Sequence, residues 1–419
     1  MPTVQCHKAE LEVLLGREIT DAGFEDECFG TVMELDEVTS AAEMARREMG
    51  AERAQERGME LSDEIIYKVD VPANRADMLT AEGIAQALRV QRGEMAVPNY
   101  TTRLPPPSER VRILVDPSVQ DVRPIVVGAV LRGVDLTQGR RFKRFVELQE
   151  KLHFNVCRRR TLASIGTHDM SKISFCTRGG AKTVHYLAQA PEDIKFVALK
   201  TGKNKDKPSA DEVRDGRQLF EYLQDPQNDT AVAKYCPLIE HLPKWPVFRD
   251  GKGQVLSLPP IINSEYSKMS EQTRDIFIEV TAVDKTKAKV ALNTLVCLFS
   301  QYSSTPFEVE AVEVQQANGE VTTTPDLSPL PLSTSASYVS NGIGRNVELS
   351  PSKVASMLTA MQLPATARGD SIEVQVPPTR TDILHEVDLL EDVAVAFGYN
   401  NVPRTLPPTR TQVATDLTG

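Results

Sequence analysis

Carboxylates and arginines fall into three groups in this sequence that could do chemistry. The first is acidic. In VPPTRTDILHEVDLLEDVAVAFGYN, residues 376–400, Asp382 stands in a turn after a prolyl pair, and Asp388, Glu391 and Asp392 follow on a helix-patterned run. At 100° per residue those last three share a sector about 100° wide. Leu389, Leu390, Val393, Ala394 and Phe397 lie opposite. Such a group could hold magnesium, which takes hard oxygen ligands and keeps several waters. It could equally be a solvated face whose like charges repel weakly. The second group is one carboxylate, Glu279, on an alternating strand that follows a loop at Pro259-Pro260. Loop and strand could wall a pocket, or Glu279 could point to water. The third is basic: Arg140, Arg141, Lys143, Arg144, Arg158, Arg159 and Arg160 line one amphipathic stretch and its exit. That pattern fits a phosphate-contacting patch or a solvated face.

The elements that must carry these groups are legible from periodicity. Lys8 to Leu15 and Thr39 to Arg57 read as helices, the second on the surface, and Ile66 to Val71 as a strand. Thr80 to Val90 reads as a helix burying Ile84, Ala85 and Leu88. Residues 98–110, with Pro98, Pro105, Pro106 and Pro107, read as a linker. Beyond it, Ile113, Val115 and Ile125 to Leu131 suggest strands. Arg141 to Val156 forms a helix with Phe145, Leu148 and Leu152 on one face, and Lys200 to Asp215 a surface loop. Over Ile276 to Ala282, Glu279 shares a side with Phe277 and Thr281. Asp284 is placed to cap the next helix, and Ser350 with Pro351 to start another.

One piece occurs twice. Val71, Pro72, Arg75, Asp77 and Leu79 recur as Val376, Pro377, Arg380, Asp382 and Leu384. The shared Arg and Asp are suited to tying a turn by hydrogen bonds. Where the second copy has Asp388, Glu391 and Asp392, the first has Gly83, Gln86 and Ala87. The acid is therefore an addition to a common scaffold.

With 419 residues, the chain has room for several domains. Its hydrophobic content of 41% and charged content of 25% are ordinary for a globular protein. The net charge of −10 gives no global pull on nucleic acid, so a basic site must be local. No apolar run of membrane-spanning length and no secretory leader stands out. Six scattered cysteines without a C-x-x-C pair argue against zinc or a disulfide framework. Ser267-Lys268-Met269-Ser270 and Gly342-Ile343-Gly344-Arg345 lack the contexts that would make them nucleotide motifs. No P-loop or nucleophile elbow is present, so no motif here binds ATP.

Four stretches carry a resemblance: YKVDVPANRADML, ELQEKLHFNVCRRR followed by ASIGTHDM, LPPIINSE to RDIFIEVTAVDKTKAK, and VPPTRTDILHEVDLLEDVAVAFGYNN. In this order they resemble the beta subunit of phenylalanyl-tRNA synthetases of the archaeal and eukaryotic cytosolic type. The resemblance implies an α+β multidomain chain: a small N-terminal α/β domain (1–97), the linker (98–110), a central mixed α/β editing domain (111–318), and a C-terminal helix–strand module of magnesium-associated B5 type (325–402). Residues 403–419 then begin a linker toward a catalytic-like domain that the sequence, ending at Gly419, does not reach; a fragment or split subunit would look like this.

The activity implied is attachment of phenylalanine to tRNA(Phe) with ATP, in a cytoplasmic α2β2 tetramer. The alpha subunit would hold the synthetic site, and this chain would edit Tyr-tRNA(Phe), support the assembly and contact tRNA. A freestanding deacylase and a non-catalytic tRNA-binding scaffold are the alternatives. The resemblance gives Glu279, Asn263 and Ser257 to the editing pocket. It gives Asp382, Asp388, Glu391 and Asp392 to a magnesium ion shared with the alpha subunit, and leaves Arg158, Arg159 and Arg160 as tRNA contacts. No catalytic base is implied.

Overall fold

The structure is a computed structural model that describes residues 2–49, 62–207, 211–344 and 346–404. At the N-terminus, β1 (Thr3–His7), α1 (Lys8–Leu15), α2 (Asp21–Phe29), β2 (Glu34–Ser40), α3 (Ala41–Met49), β3 (Ile65–Asp70) and α4 (Ala81–Gln91) form one unit. Its sheet has the order β1-β3-β2. The helix expected from Thr39 begins later, because Thr39 and Ser40 still pair with Ile66 and Ile65 in β3. Its expected continuation over 50–57 lies outside the described residues. Thr80 caps α4, accepting from the Gly83 amide, and nearly every residue of that helix is buried.

The central sheet has twelve strands. In chain order they and their helices are β4 (Thr101–Arg103), β5 (Val111–Val115), β6 (Ile125–Leu131), α5 (Arg141–Phe154), β7 (Ala163–Asp169), β8 (Cys176–Arg178), β9 (Ala181–Gln189), α6 (Gly216–Gln224), α7 (Pro237–Glu240), β10 (Trp245–Arg249), β11 (Val255–Leu258), β12 (Ile262–Asn263), β13 (Ile276–Ala282), α8 (Lys285–Phe299), β14 (Glu308–Gln315) and β15 (Val321–Thr324). The main order is β12-β11-β10-β9-β5-β14-β6-β13-β7. β4 lies inside the stretch read as a linker. It pairs in parallel with β14, some two hundred residues away, which no local signal could announce.

β13 runs between β6 and β7, and all seven of its residues are buried. Its alternation is real, but both sides are inside. Ile276, Ile278, Val280 and Ala282 face the core under α8, while Phe277 joins the core on the opposite side. Asp284 caps α8 as its position suggests, accepting from the Lys287 amide.

The last unit contains β16 (Leu330–Ser335), α9 (Ala336–Ile343), α10 (Pro351–Ala360), β17 (Ala365–Arg368), β18 (Ser371–Val376) and α11 (Glu386–Phe397), with sheet order β16-β18-β17. Ser350 caps α10 with Pro351 at the first helical position.

The repeated turns meet at one joint. Arg75 grips Asp77 with two hydrogen bonds of 2.9 and 2.7 Å. Arg380 grips Asp382 in the same way at 3.0 and 2.9 Å. Both arginines then reach one dipeptide: Arg75 donates to Gln362 Oε1 at 2.8 Å and Arg380 to the Met361 carbonyl at 2.6 Å. All four charged residues of the turns are largely buried, and Arg380 has 1% of its surface exposed. Such forks are stronger and more directional than single neutral hydrogen bonds. The two copies thus form the seam between the first and last units.

Replacing Arg380 by Met is expected to cost about 3–5 kcal/mol in chemical denaturation, because it strands two buried carboxylates. A loss below about 1 kcal/mol would show that solvent already satisfies them.

Candidate functional site

A cavity of about 470 Å³ opens at the end of the central sheet. Ser257, Asn263 and Glu279 all line it, so the three residues assigned to a pocket by resemblance are brought together. Ser257 and Asn263 face one another on the β11–β12 hairpin. Ser257 Oγ donates to Glu279 Oε1 at 2.8 Å, and Asn263 Nδ2 donates to the Thr167 carbonyl on β7 at 3.2 Å. Glu279 Oε2 is buried and has no hydrogen-bond partner. Glu279 itself is 1% exposed, which removes the alternative of a solvent-facing strand residue.

One glycine makes room for that side chain. Glu279 stands opposite Gly128 on β6 and Gly166 on β7. A Cβ at position 166 would lie 2.1 Å from Glu279 Oε1. The carboxylate therefore occupies space that only glycine leaves open. Sequence reading missed Gly166, although a glycine within a strand is a recognised sign of close approach. It also missed His168, which is fully buried, bonds Ser267 Oγ through Nδ1 at 2.8 Å, and keeps Nε2 3.9 Å from Glu279 Oε1.

Apolar walls come from Ile165, Leu258, Ile262 and Met269, with Tyr235 at one side. Such a pocket suits an apolar group carrying a hydroxyl that Glu279 can accept from. His153 is the histidine among its lining residues. Its Nε2 accepts from the Ile165 amide at 2.8 Å, so the proton sits on Nδ1, 3.1 Å from Glu150 Oε1. Burial and the neighbouring Arg160 charge push the His153 pKa down to about 4. For Glu150, burial acts upward, but the His153 hydrogen bond and the Arg160 charge outweigh it and bring the carboxyl to about 2. These two groups are committed to holding the wall together.

The basic patch is divided, some of its members turning inward and others facing solvent. Arg144 is buried and paired with Glu82 at 2.7 Å and Glu10 at 2.6 Å, joining α5 to the N-terminal unit. Arg141 bonds Asp135 and lies over the Tyr302 ring. Arg160, expected at a tRNA surface, is turned inward: it donates to the Pro260 and Ile261 carbonyls at 3.2 and 2.9 Å and to Glu150 at 2.8 Å. Arg158 and Arg159 do face solvent. All three residues have positive φ, at 46°, 53° and 66°. Each such non-glycine residue costs on the order of 1 kcal/mol, which the surrounding contacts must offset.

The four acidic residues do not converge. Arg380 takes Asp382 at 2.9 Å and Asp392 at 2.7 Å. Asp388 Oδ2 accepts from the Leu384 and His385 amides, both at 2.8 Å, closing a capping box with His385, the N-cap of α11. Glu391 faces solvent. Among the described residues no group of three or more His, Cys, Asp or Glu could hold a metal. Asp382, Asp388, Glu391 and Asp392, expected to hold a magnesium ion shared with an alpha subunit, thus form no preformed metal site of their own among the described residues. The cause is a neighbouring guanidinium that already neutralises two of them. Burial alone would raise Asp382, but Arg380 prevails and holds it below the ordinary range; Asp392 is left raised, burial outweighing the same arginine.

Comparison with known proteins gives this arrangement a class. Three family models match: "Phe-tRNA synthetase beta subunit B1 domain" over residues 1–94, "B3/4 domain" over 131–308, and "tRNA synthetase B5 domain" over 332–399. These are modules of an aminoacyl-tRNA synthetase subunit, and the pocket lies within the B3/4 match. The phenylalanine–tRNA ligase beta subunit of Dictyostelium discoideum is 39% identical over 413 residues, 97% of this chain and 63% of that protein. The Homo sapiens beta subunit is 40% identical over 413 residues, 98% of this chain and 66% of that protein. An N-terminal fragment of the Pyrococcus horikoshii phenylalanyl-tRNA synthetase beta subunit superposes with a TM-score of 0.77 at 26% identity, covering 95% of this chain and 100% of the fragment. The chain belongs to the phenylalanine–tRNA ligase beta subunit family. It spans less than two thirds of the length of the first of these relatives. Among the described residues no helix is long and apolar enough to cross a membrane.

The pocket wall makes stability depend on acid with a definite sign. His153 is held neutral in the fold down to about 4, whereas an ordinary histidine titrates at 6.5. The unfolded chain therefore binds the proton first, and stability is lost as pH falls from 6.5 toward 4. Glu150, depressed from 4.5 to about 2, is lost in the same direction below that window. Urea denaturation between pH 7 and 4.5 should show this fall, and a His153→Gln variant should show a smaller one. An equal slope in the variant would remove His153 from the account.

Proposed function

We propose that this chain is the editing and supporting part of a phenylalanine–tRNA ligase, and that its pocket hydrolyses Tyr-tRNA(Phe). The observation that carries the reading is Glu279: a buried carboxylate with one oxygen held by Ser257 and the other unpartnered beside an apolar cavity. A synthetic pocket built for phenylalanine rejects an analogue with an added hydroxyl only weakly. A second pocket that accepts a hydrogen bond from that hydroxyl supplies the missing discrimination. With phenylalanine bound, the Glu279 oxygen would stay desolvated and unpaired, which costs about 1–3 kcal/mol.

In this reading a water held near the ester carries out the hydrolysis, since His153 and Glu150 are committed to the wall. The phenylalanine-attaching chemistry, with ATP and magnesium, belongs to an alpha subunit in a cytoplasmic α2β2 assembly. No step is assigned to magnesium in this chain, because Arg380 occupies half of the acid set. Arg158 and Arg159, exposed at the exit of α5, are the candidates for tRNA phosphates.

Deacylation of Tyr-tRNA(Phe) and Phe-tRNA(Phe) by wild type, Glu279→Gln and Glu279→Ala tests the reading. The variants should lose Tyr-over-Phe selectivity by roughly tenfold to a hundredfold, the worth of one charged hydrogen bond. Equal selectivity in all three would sink the role given to Glu279. Wild-type protein without deacylation would leave the scaffold reading in its place.

A further inference from the structure

We infer that Arg160 is a specificity-setting positioning residue: it fixes the hairpin that aims Ser257 and Asn263 into the Glu279 pocket. The inference rests on the proposed deacylation and adds a residue that contacts no substrate. The base of the hairpin is anchored by β10 and by the Asn263 bond to Thr167, whereas its tip lies beyond the last strand pair. β11 and β12 pair only through Ser257–Asn263 and Leu258–Ile262, so the two polar residues sit one pair from the tip. The tip is Pro259-Pro260-Ile261. The two prolines donate no backbone hydrogen bond, so besides packing and the Ile261 amide bond to Leu258 the tip is held through what reaches its carbonyls.

Arg160 does so. One guanidinium nitrogen bonds the Pro260 and Ile261 carbonyls, and the other bonds Glu150 on α5 at 2.8 Å. The plane lies over the Tyr235 ring, 4.4 Å from its centre. The backbone aims it: three successive left-handed residues, Arg158 to Arg160, turn the chain so that the third side chain enters the wall. The Arg160 carbonyl is in turn reached by Arg123. Helix, turn and hairpin tip thereby form one rigid corner. Its geometry is transmitted to the 2.8 Å contact between Ser257 and Glu279. Lysine could not do this, because it is a point charge without the planar fork that spans two carbonyls and a carboxylate.

The test compares wild type with Arg160→Ala and Arg160→Lys in the full chain. Two readouts are taken: Tyr-over-Phe deacylation selectivity, and amide exchange at Ile261 and Ser264, whose N–H groups bond Leu258 and Leu256. Both variants should lose selectivity roughly tenfold or more, as expected when positioning groups shift by about an ångström. Exchange should rise at the two hairpin amides and stay unchanged along β13. Millimolar guanidinium should restore selectivity to Arg160→Ala and not to Arg160→Lys. A merely structural defect would not respond to the added cation in this way. Wild-type selectivity in either variant overturns the inference, as does hairpin exchange equal to wild type. If the wild type hydrolyses neither ester, the proposed function fails, and hairpin exchange alone decides whether Arg160 holds the loop.

Discussion

A carboxylate placed on the middle of a fully buried strand is the constraint around which the central unit is built. Desolvating an ionised carboxylate costs several kcal/mol unless its oxygens find donors. Glu279 meets that demand only in part: Ser257 serves one oxygen, and the other is buried without a partner. Everything nearby follows from keeping that side chain in place. Gly166 vacates the volume it fills, and the β11–β12 hairpin brings its donor. The left-handed arginine turn holds the hairpin in turn. An unsatisfied group retained at such cost is sound evidence for a ligand, because a purely structural position would be more stable with an apolar side chain.

The pocket is a corner between pieces far apart in sequence, and long-range ion pairs fix the larger assembly in the same manner. Arg144 on α5 reaches Glu10 and Glu82 in the N-terminal unit. Arg75 in that unit reaches Gln362 in the last one. The N-terminal unit is thus a bracket with one buried arginine contact on each side. Arginine suits these joints because its fork can serve two acceptors and stays charged when buried.

What could be read from sequence followed a simple division. Signals complete within a few residues were legible: the Asp284 and Ser350 caps, the alternation of β13, and the Arg–Asp pairs two residues apart in both turns. Signals whose second half lies elsewhere were not. Arg144 and Arg160 looked like members of a basic face, but their partners are Glu82 and the Pro260 carbonyl. Thr101–Arg103 looked like linker because its partner strand, β14, comes much later. Asp392 looked available to a metal because nothing in its helix shows that Arg380 returns to it. Family resemblance supplied Ser257 and Asn263, for which residue patterns alone gave no reason.

The uneven distribution of acid between the two copies of the repeat has a packing explanation. The first copy's helix, α4, is enclosed: Gly83, Gln86 and Ala87 are all buried, and a Cβ at Gly83 would lie 1.8 Å from the Asp77 carbonyl oxygen. Carboxylates at those places would be desolvated without partners. The second copy's helix, α11, lies on the outside. There Glu391 is solvated and Asp388 sits in the first turn, closing a capping box with His385, where a negative charge is favoured by the helix dipole. Only Asp392 points inward, and it finds Arg380, the arginine that the scaffold already provides. Burial of one copy and exposure of the other therefore account for which copy can carry the added carboxylates. The repeated turn is the element that folding needs twice; the acid marks which copy meets water.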